Sequence, residues 1–207
     1  MSLAKRKALA GISKEYNIFI IEDATYHLMN EKTEKAVATF APEQTIHITS
    51  LSKTIAPGFR LAYVSVPKKY KNALSNALYN MNISVSPFMA ELAARMIVSN
   101  QIDSIIESHR KNTIYRNGLV NYYLSEYNCR GEDTCIFRWL KLPSKISGSD
   151  FEKLALKHGV QIYAAERFAV GNSIPERAVR LSICATETIE ELEQGLKILQ
   201  QLLHTLH

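Results

Sequence analysis

The chain has 207 residues, which is long for one domain and short for two large ones. Hydrophobic residues make up 46% of the sequence, a share that allows a sizeable core and excludes a disordered protein. The formal net charge is +5, and because lysines and arginines are scattered rather than grouped, composition gives no reason to expect a surface that binds nucleic acid or a membrane.

The cysteines point to a reducing compartment. Cys129, Cys135 and Cys184 are odd in number and lack zinc-ligand spacing, which predicts reduced thiols and a cytoplasmic protein. No apolar run approaches the ~18 residues of a membrane span. Lys14 and Glu15 interrupt the N-terminal segment too early for a signal peptide. The histidines show no His-Glu-x-x-His or comparable spacing, so no metal site is expected.

The first predicted elements are a helix and a buried strand. Residues 4–16 place Ala8, Leu9 and Ile12 on one side of a helix among charged neighbours. The continuous apolar run 18–21 is typical of a strand buried on both faces of a parallel sheet. This order indicates an open α/β sheet, in which ligands bind at the carboxyl ends of the strands.

Polar residues follow the predicted buried strand. They are Glu22, Asp23 and Tyr26, and on pattern alone a solvated loop is the commoner interpretation. Residues 27–44 are polar and charged and predict a surface loop with one helical turn. A binding role for the strand-end residues therefore needs further support.

That support begins with residues 45–66, the most informative stretch of the chain. Ile46 and Ile48 alternate with polar neighbours, as in a short strand. Pro57 and Gly58 then form a turn before a second strand begins near Leu61. A loop between two strands is thus predicted.

The same loop carries four polar side chains. Ser50, Ser52 and Arg60 combine two hydroxyls with a guanidinium, which suits a phosphate group. Lys53 supplies an amine, the group that forms Schiff bases. An isolated Ser-Lys pair would more often be an ordinary surface lysine, so the length of the pattern matters.

Helices are predicted after this loop. Residues 68–79 form an amphipathic helix with Leu74 and Leu78 inward, and Ser86 followed by proline starts a second one. Residues 101–127 read as one long helix. Its apolar stripe consists of Ile102, Ile105, Ile106, His109, Ile114 and Leu119.

The composition shifts toward strands after residue 130. Residues 135–142, 160–163 and 178–184 are predicted strands. Capping boxes at Ser149-x-x-Glu152 and Thr188-x-x-Glu191 open two helices, the first closed by Gly159 and the last with Ile189, Leu192, Leu196, Leu199 and Leu203 inward. The segment is therefore expected to fold as a compact α+β domain.

Arg180 lies inside one of these strands, between Val179 and Leu181. A charge in such a strand usually points to solvent. A planar guanidinium that bonds both oxygens of a carboxylate is the alternative use of this residue.

The pattern Ser-Leu-Ser-Lys-Thr-x-Ala-Pro-Gly-x-Arg-Leu, which begins at Ser50, closely resembles the cofactor-lysine segment of fold-type-I pyridoxal-phosphate (PLP) enzymes, aminotransferase class I/II. This sequence pattern is most similar to the one in the aminotransferase-like half of GntR/MocR-type transcriptional regulators. The resemblance implies that Lys53 carries the internal aldimine. It also implies that Ser50, Ser52 and Arg60 hold the cofactor phosphate.

Two further segments share the resemblance. Asp-x-x-Tyr, 30 residues before Lys53, implies that Asp23 faces the pyridine nitrogen and that Tyr26 bonds the phenolic oxygen of PLP. Val-Arg-Leu-Ser implies that Arg180 grips the carboxylate of an amino acid or 2-oxo acid substrate. The implied fold is α/β: residues 1–99 form part of the PLP-binding large domain, 100–129 a linking helix and 130–207 a small α+β domain.

The resemblance covers only the C-terminal portion of a family member. The family's phosphate loop, stacking aromatic residue and Asn-Pro-x-x-Pro-x-Gly segment are not in this sequence. We therefore expect exposed sheet edges, a homodimer and an inactive isolated chain. Three functions stay open: an aminotransferase, a PLP or amino-acid sensor of a regulator whose DNA-binding domain is absent from this chain, and a structural remnant without a ligand.

Overall fold

The structure, a computed structural model, describes residues 1–30 and 34–206 and divides the chain into two compact units, Met1–His109 and Arg110–His207. Its mixed α/β architecture confirms the predicted fold class, while the predicted boundaries at residues 99 and 129 stay a prediction. The helices are α1 (Leu3–Glu15), α2 (Lys71–Asn82), α3 (Pro87–Val98), α4 (Gln101–Tyr123), α5 (Gly148–Lys157) and α6 (Ile189–His204). The strands are β1 (Ile20–Asp23), β2 (Thr45–Ser50), β3 (Ala62–Ser65), β4 (Cys129–Arg130), β5 (Phe137–Lys141), β6 (Tyr163–Ala164) and β7 (Ala178–Ser182).

The first unit contains a three-stranded mixed sheet in the order β1-β2-β3. β1 runs parallel to β2, with Asp23 opposite Ile48. β3 runs antiparallel to β2, with Ser50 opposite Ala62. The carboxyl ends of β1 and β2 and the amino end of β3 therefore lie at the same end of the sheet.

One face of this sheet is covered and the other is largely open. Ala10 of α1 packs with Val37 and Ala41 in a small buried cluster, against which Ile20 of β1 also packs. Ile21 points to the opposite face, because successive strand residues alternate, and it is 70% exposed. The prediction of a strand over 18–21 buried on both faces is thus wrong, since pairing begins only at Ile20.

The apolar stripe predicted for the first helix is also wrong in part. Ile12 is 50% exposed, whereas Ala10 and Ser13 form the buried side of α1. The Ser13 hydroxyl donates to the Ile18 carbonyl over 2.6 Å, which ties the helix to the segment that enters β1. The buried side of α1 therefore includes the polar Ser13 and does not coincide with the apolar stripe predicted from the sequence.

The segment predicted as a surface loop is more ordered than expected. It contains short 3-10 turns at His27–Met29 and Val37–Thr39. Met29, Val37 and Ala41 are buried, so the description as surface is wrong at these positions. Residues 31–33 of the predicted loop lie outside the described residues.

The helices α2 and α3 contribute little to a core. Residues 68–70 form a 3-10 turn and α2 follows at Lys71, so the predicted start is early by three residues. Leu78 is 47% exposed, which contradicts its predicted inward position. The helix start at Ser86-Pro87 is confirmed, although the Ser86 side chain makes no capping hydrogen bond.

The second unit has an antiparallel sheet in the order β4-β5-β7-β6. The structure confirms a long helix, α4, which ends at Tyr123 rather than at the predicted residue 127, and it confirms the buried leucines of α6. The hydrophobic core of this unit consists of Val120, Tyr123, Leu124, Leu140, Leu142, Phe151, Ala155, Ile162, Val179, Leu181, Ile183, Leu192, Leu196, Leu199, Leu202 and Leu203. No helix in the described part of the chain is long and apolar enough to cross a membrane.

Helix caps in this unit match the sequence with one correction. The capping box of Thr188 and Glu191 is confirmed at the start of α6. α5 is capped by Ser147, which accepts from the Asp150 amide, rather than by Ser149. Gly159 follows α5 with φ +83°, the left-handed conformation that glycine adopts without strain.

Gly148 opens α5 at a point of close approach. A Cβ atom there would lie 2.7 Å from the carbonyl oxygen of Ala178 in β7 and closer still to the Glu166 carboxylate. Glu166 accepts a hydrogen bond from the Ser149 amide over 3.2 Å. The start of the helix is thus pressed against the sheet and a neighbouring loop.

Candidate functional site

The candidate residues of the first unit converge because of strand register. Asp23 ends β1 and Ser50 ends β2, and the Ala24 amide donates to the Ile48 carbonyl over 2.8 Å. Arg60 precedes β3 by two residues, at the same end of the sheet. Three neighbouring strands therefore bring a carboxylate, a hydroxyl and a guanidinium to the same end of the sheet.

The loop that carries Lys53 is held on both sides of that residue. Leu51 is buried and its amide donates to the Leu61 carbonyl over 3.2 Å. Thr54 is also buried; its hydroxyl donates to the Ser50 carbonyl, and its own carbonyl lies 2.9 Å from Nδ1 of His109. Lys53 between them is exposed. The sequence analysis did not predict that Leu51 and Thr54 anchor the loop. The apolar side chain of Leu51 and the hydroxyl of Thr54 were the only sequence features that could have indicated this role.

The two serines of the loop have different surroundings. The Ser50 hydroxyl donates to the Leu61 carbonyl and accepts from the Ser52 amide, both over 3.1 Å. Ser50 thus closes the loop onto the start of β3, and a phosphate at this hydroxyl competes with Leu61 for its proton. Ser52 is only partly buried.

Arg60 is set by a sharp turn. Pro57–Phe59 form a 3-10 turn, and Arg60 follows it with φ +50°, in the left-handed region. Its side chain is exposed. Non-glycine residues adopt this conformation at some cost in energy, so the surrounding loop holds Arg60 in place.

The carboxylate of Asp23 accepts two hydrogen bonds from its neighbour Thr25. The Thr25 amide donates to Oδ1 of Asp23 over 3.0 Å, and the Thr25 hydroxyl donates to the same oxygen. These hydrogen bonds, the hydroxyl first, hold the pKa of Asp23 below its ordinary value. Tyr26 lies one residue later, at the start of the turn His27–Met29, and is exposed. Thr25 is a contribution that the sequence analysis missed.

Glu22 belongs to the other face of the sheet and has a structural role. Its carboxylate lies 2.7 Å from Nη1 of Arg6 and 3.0 Å from Nδ1 of His47, and it accepts from the amides of Val37 and Ala38. Burial acts to raise the pKa of Glu22, but the hydrogen bonds from Val37 and His47 outweigh it, so the pKa is lowered. The adjacent carboxylates of Glu22 and Asp23 are therefore separated in function by strand alternation.

Arg180 lies in the second unit among aromatic rings. Its Cζ is 4.3 Å from the ring centre of Phe137, 4.6 Å from that of Phe168 and 5.5 Å from that of Tyr163. Nε of Arg180 is buried and has no hydrogen-bond partner among the described residues. The side chain is only partly exposed, so the expectation that it points freely to solvent does not hold. The sequence analysis did not predict the three rings.

Comparison with known proteins gives the following matches. A family profile described as aminotransferase class I and II matches residues 1–199. An uncharacterized HTH-type transcriptional regulator of Bacillus subtilis, YdeF, is 62% identical over 206 residues, which are 100% of this chain and 45% of that protein.

Solved structures share the fold. An archaeal alanine:glyoxylate aminotransferase superposes with a TM-score of 0.87 at 20% identity, covering 99% of this chain and 52% of its own. The α-aminoadipate aminotransferase LysN of Thermus thermophilus, solved with N-(5'-phosphopyridoxyl)-L-leucine, gives a TM-score of 0.83 at 21% identity, covering 99% and 55%. The chain thus spans about half the length of the proteins it matches.

Proposed function

Because the chain belongs to the aminotransferase class I and II family, we propose that the complete protein is a PLP-dependent aminotransferase that exchanges an amino group between an amino acid and a 2-oxo acid. The observation that carries this proposal is the meeting of Asp23, the Lys53 loop and Arg60 at one end of three adjacent strands. The chemistry expected of each group supports the same conclusion. A cytoplasmic location fits the free cysteines.

The residues present fit the cofactor. An exposed amine at Lys53 is accessible to the PLP aldehyde, and the ionised carboxylate of Asp23 suits a protonated ring nitrogen. The exposed guanidinium of Arg60, with the hydroxyls of Ser50 and Ser52, suits the phosphate. Of these hydroxyls, Ser52 is the better donor, because that of Ser50 is engaged by Leu61.

Each residue then has a distinct task in amino-group transfer. PLP, when bound, supplies a ring that accepts the electron pair left by the substrate α-carbon. Asp23 would hold a proton at the ring nitrogen, and the hydrogen bonds from Thr25 favour the charged form of Asp23. The Tyr26 hydroxyl would donate to the phenolic oxygen. The Lys53 amine would attach the cofactor and, once released, would move the proton at the α-carbon.

Arg180 is the proposed carboxylate contact. Its buried Nε without a partner is consistent with an acceptor supplied by a ligand. A planar guanidinium can bond both oxygens of one carboxylate. Loss of such a contact costs about 2–5 kcal/mol, so Arg180→Ala should raise the half-saturating concentration of the amino donor without abolishing cofactor attachment.

The proposal is tested by locating the cofactor. The complete protein is incubated with PLP, reduced with borohydride, digested and analysed by mass spectrometry. We expect a covalent adduct on Lys53 and visible absorbance that Lys53→Ala abolishes. Lys68→Ala, at another exposed lysine of the same unit, is the matched control and should keep both signals. An adduct on a different lysine, or no adduct, would refute the assignment.

The isolated chain is proposed to be inactive and self-associated. The resemblance assigns part of the phosphate site and the ring cover to segments that this sequence does not contain. Each missing charge-assisted hydrogen bond weakens binding by about 1.5–3 kcal/mol, so PLP affinity should fall by orders of magnitude. Ile21 and Val64 expose apolar surface on the sheet, which favours a homodimer. Sedimentation and a coupled transaminase assay test both statements; an active monomer would contradict them.

A second candidate function is supported by the 62% identity to a protein named as an HTH-type transcriptional regulator. In that case PLP or an amino acid is sensed, and a separate DNA-binding domain responds. The two functions differ in one measurement on the complete protein. An amino donor that yields pyridoxamine phosphate and a 2-oxo acid with turnover supports the enzyme. PLP-dependent binding to operator DNA without turnover supports the regulator.

A further inference from the structure

The surroundings of Arg180 carry information about the ligand's side chain. Register places Trp139, Arg180 and Tyr163 side by side on β5, β7 and β6. Their strand neighbours Val179 and Leu181 are buried in the core on the other face. The sheet of the second unit therefore presents one aliphatic face to its helices and one face that combines a guanidinium with aromatic rings.

Aromatic rings pack against the guanidinium of Arg180. Phe137 and Phe168 lie 4.3 and 4.6 Å from Cζ of Arg180, distances at which an aromatic face attracts a cation. Hydrogen bonds leave a guanidinium in its plane, whereas rings stack above and below it. Among the residues that the structure describes, Nε of Arg180 has no acceptor. The cluster thus holds a guanidinium with an unused hydrogen-bond donor next to aromatic surface.

We propose that this region selects an amino acid or 2-oxo acid with an aromatic or comparably large apolar side chain. Arg180 binds the carboxylate, and Tyr163 and Phe168 contact the side chain. This inference rests on the proposed function, and it narrows the substrate or effector to one class. Phe168 is suited to such a contact because it is 43% exposed while touching the guanidinium.

The inference can be tested by binding alone. Trp139 is the only tryptophan of the chain, and its ring centre lies 6.0 Å from that of Phe168. Its fluorescence therefore reports on ligands in this region. We expect 3-phenylpropanoate to change the emission saturably, with a half-saturating concentration at least about tenfold below that of propanoate. Succinate should bind no more tightly than propanoate.

Variants separate the carboxylate contact from the aromatic one. Arg180→Lys keeps the charge but loses the planar fork, and it should weaken both monocarboxylates by about tenfold or more. Phe168→Ala should remove most of the preference for 3-phenylpropanoate and leave propanoate unchanged. Val170→Ala, at an exposed apolar residue of the same segment, is the control and should change neither. Unfolding midpoints verify that each variant is folded.

Four outcomes would overturn the inference: no saturable change, equal binding of 3-phenylpropanoate and propanoate, tighter binding of succinate, or an unchanged preference in Phe168→Ala. The result is independent of the trapping experiment at Lys53. An adduct on Lys53 without aromatic preference rejects this inference alone. Aromatic preference without an adduct rejects the proposed aminotransferase function and leaves a carboxylate-binding unit.

Discussion

The two units of the chain differ in how they bury their apolar residues. The second unit has one continuous core formed by α4–α6 and the sheet β4-β5-β7-β6. In the described part of the first unit, burial is confined to small clusters such as that around Ala10 and that around Leu51 and Leu61. Apolar periodicity therefore predicted inward residues correctly only where a unit supplies its own surface to bury them.

The same difference applies to the candidate chemistry. In the first unit it depends on backbone geometry: three strand ends and a loop anchored by Leu51 and Thr54. In the second unit it depends on side-chain packing around Arg180. Stability and site function should accordingly respond to different substitutions in the two units.

The largest effect should come from the core of the second unit. Phe151 is fully buried in α5, and Phe151→Ala should lower the free energy of unfolding by about 3–5 kcal/mol. Leu156→Ala, at an exposed position of the same helix, should cost less than about 1 kcal/mol. Urea titration followed by Trp139 fluorescence measures both. Equal losses would show that this unit is not organised around the core described.

In the first unit, polar contacts should matter more than apolar ones. Glu22→Gln leaves Arg6 and His47 without their anion and should cost about 1–3 kcal/mol at pH 7. Because the pKa of Glu22 is lowered by folding, its contribution is present above the unfolded pKa of about 4.3 and is lost as pH falls through the folded value.

The stabilities of the wild type and Glu22→Gln should therefore converge as the pH falls below the unfolded pKa of about 4.3 and through the lower folded pKa of Glu22. Hydrogen exchange of the β1 and β2 amides reports on this unit, which lacks tryptophan. Glu43→Gln, at an exposed carboxylate, is the control and should leave exchange unchanged. If the difference in stability between the two proteins stayed constant across this pH range, the charge of Glu22 would not contribute to the stability of the sheet.

Helix caps allow a direct comparison of the units. Thr188 accepts from the Glu191 amide at the start of α6, so Thr188→Ala should cost about 1 kcal/mol. Ser86 stands at the start of α3 without a side-chain capping bond, and Ser86→Ala should cost only a few tenths of a kcal/mol. Helicity during thermal unfolding distinguishes them. A larger loss for Ser86→Ala would reverse the assignment of caps.

The smallest effect is expected on the exposed side of α2. Leu78→Lys should change the unfolding free energy by less than about 0.5 kcal/mol, because the side chain loses little contact. If α2 is covered by a second copy, the same substitution should weaken self-association in sedimentation. A loss above about 1 kcal/mol in the monomer would mean that Leu78 is buried, as its periodicity predicted.

Sequence reasoning succeeded where the information is local. Confirmed examples are the capping box at Thr188, the glycine after α5 and the strands on either side of the Lys53 loop. It failed for Ile12, Ile21 and Leu78, whose burial depends on what packs against them. For the same reason it missed the rings around Arg180, since Phe137 and Tyr163 reach it through strand pairing and Phe168 through the 3-10 turn Ala165–Phe168.

Gly148 sets a limit on how this sequence can vary. The backbone oxygen of Ala178, 2.7 Å from where a Cβ would stand, cannot move without disturbing β7. In a random-mutation library, every substitution at codon 148 should therefore be depleted among folded clones, alanine included. Gly11 and Gly118, whose added Cβ would meet no described atom within 4 Å, should tolerate alanine in the same library. Among related sequences, Gly148 should therefore stay glycine while Gly11 and Gly118 are free to change.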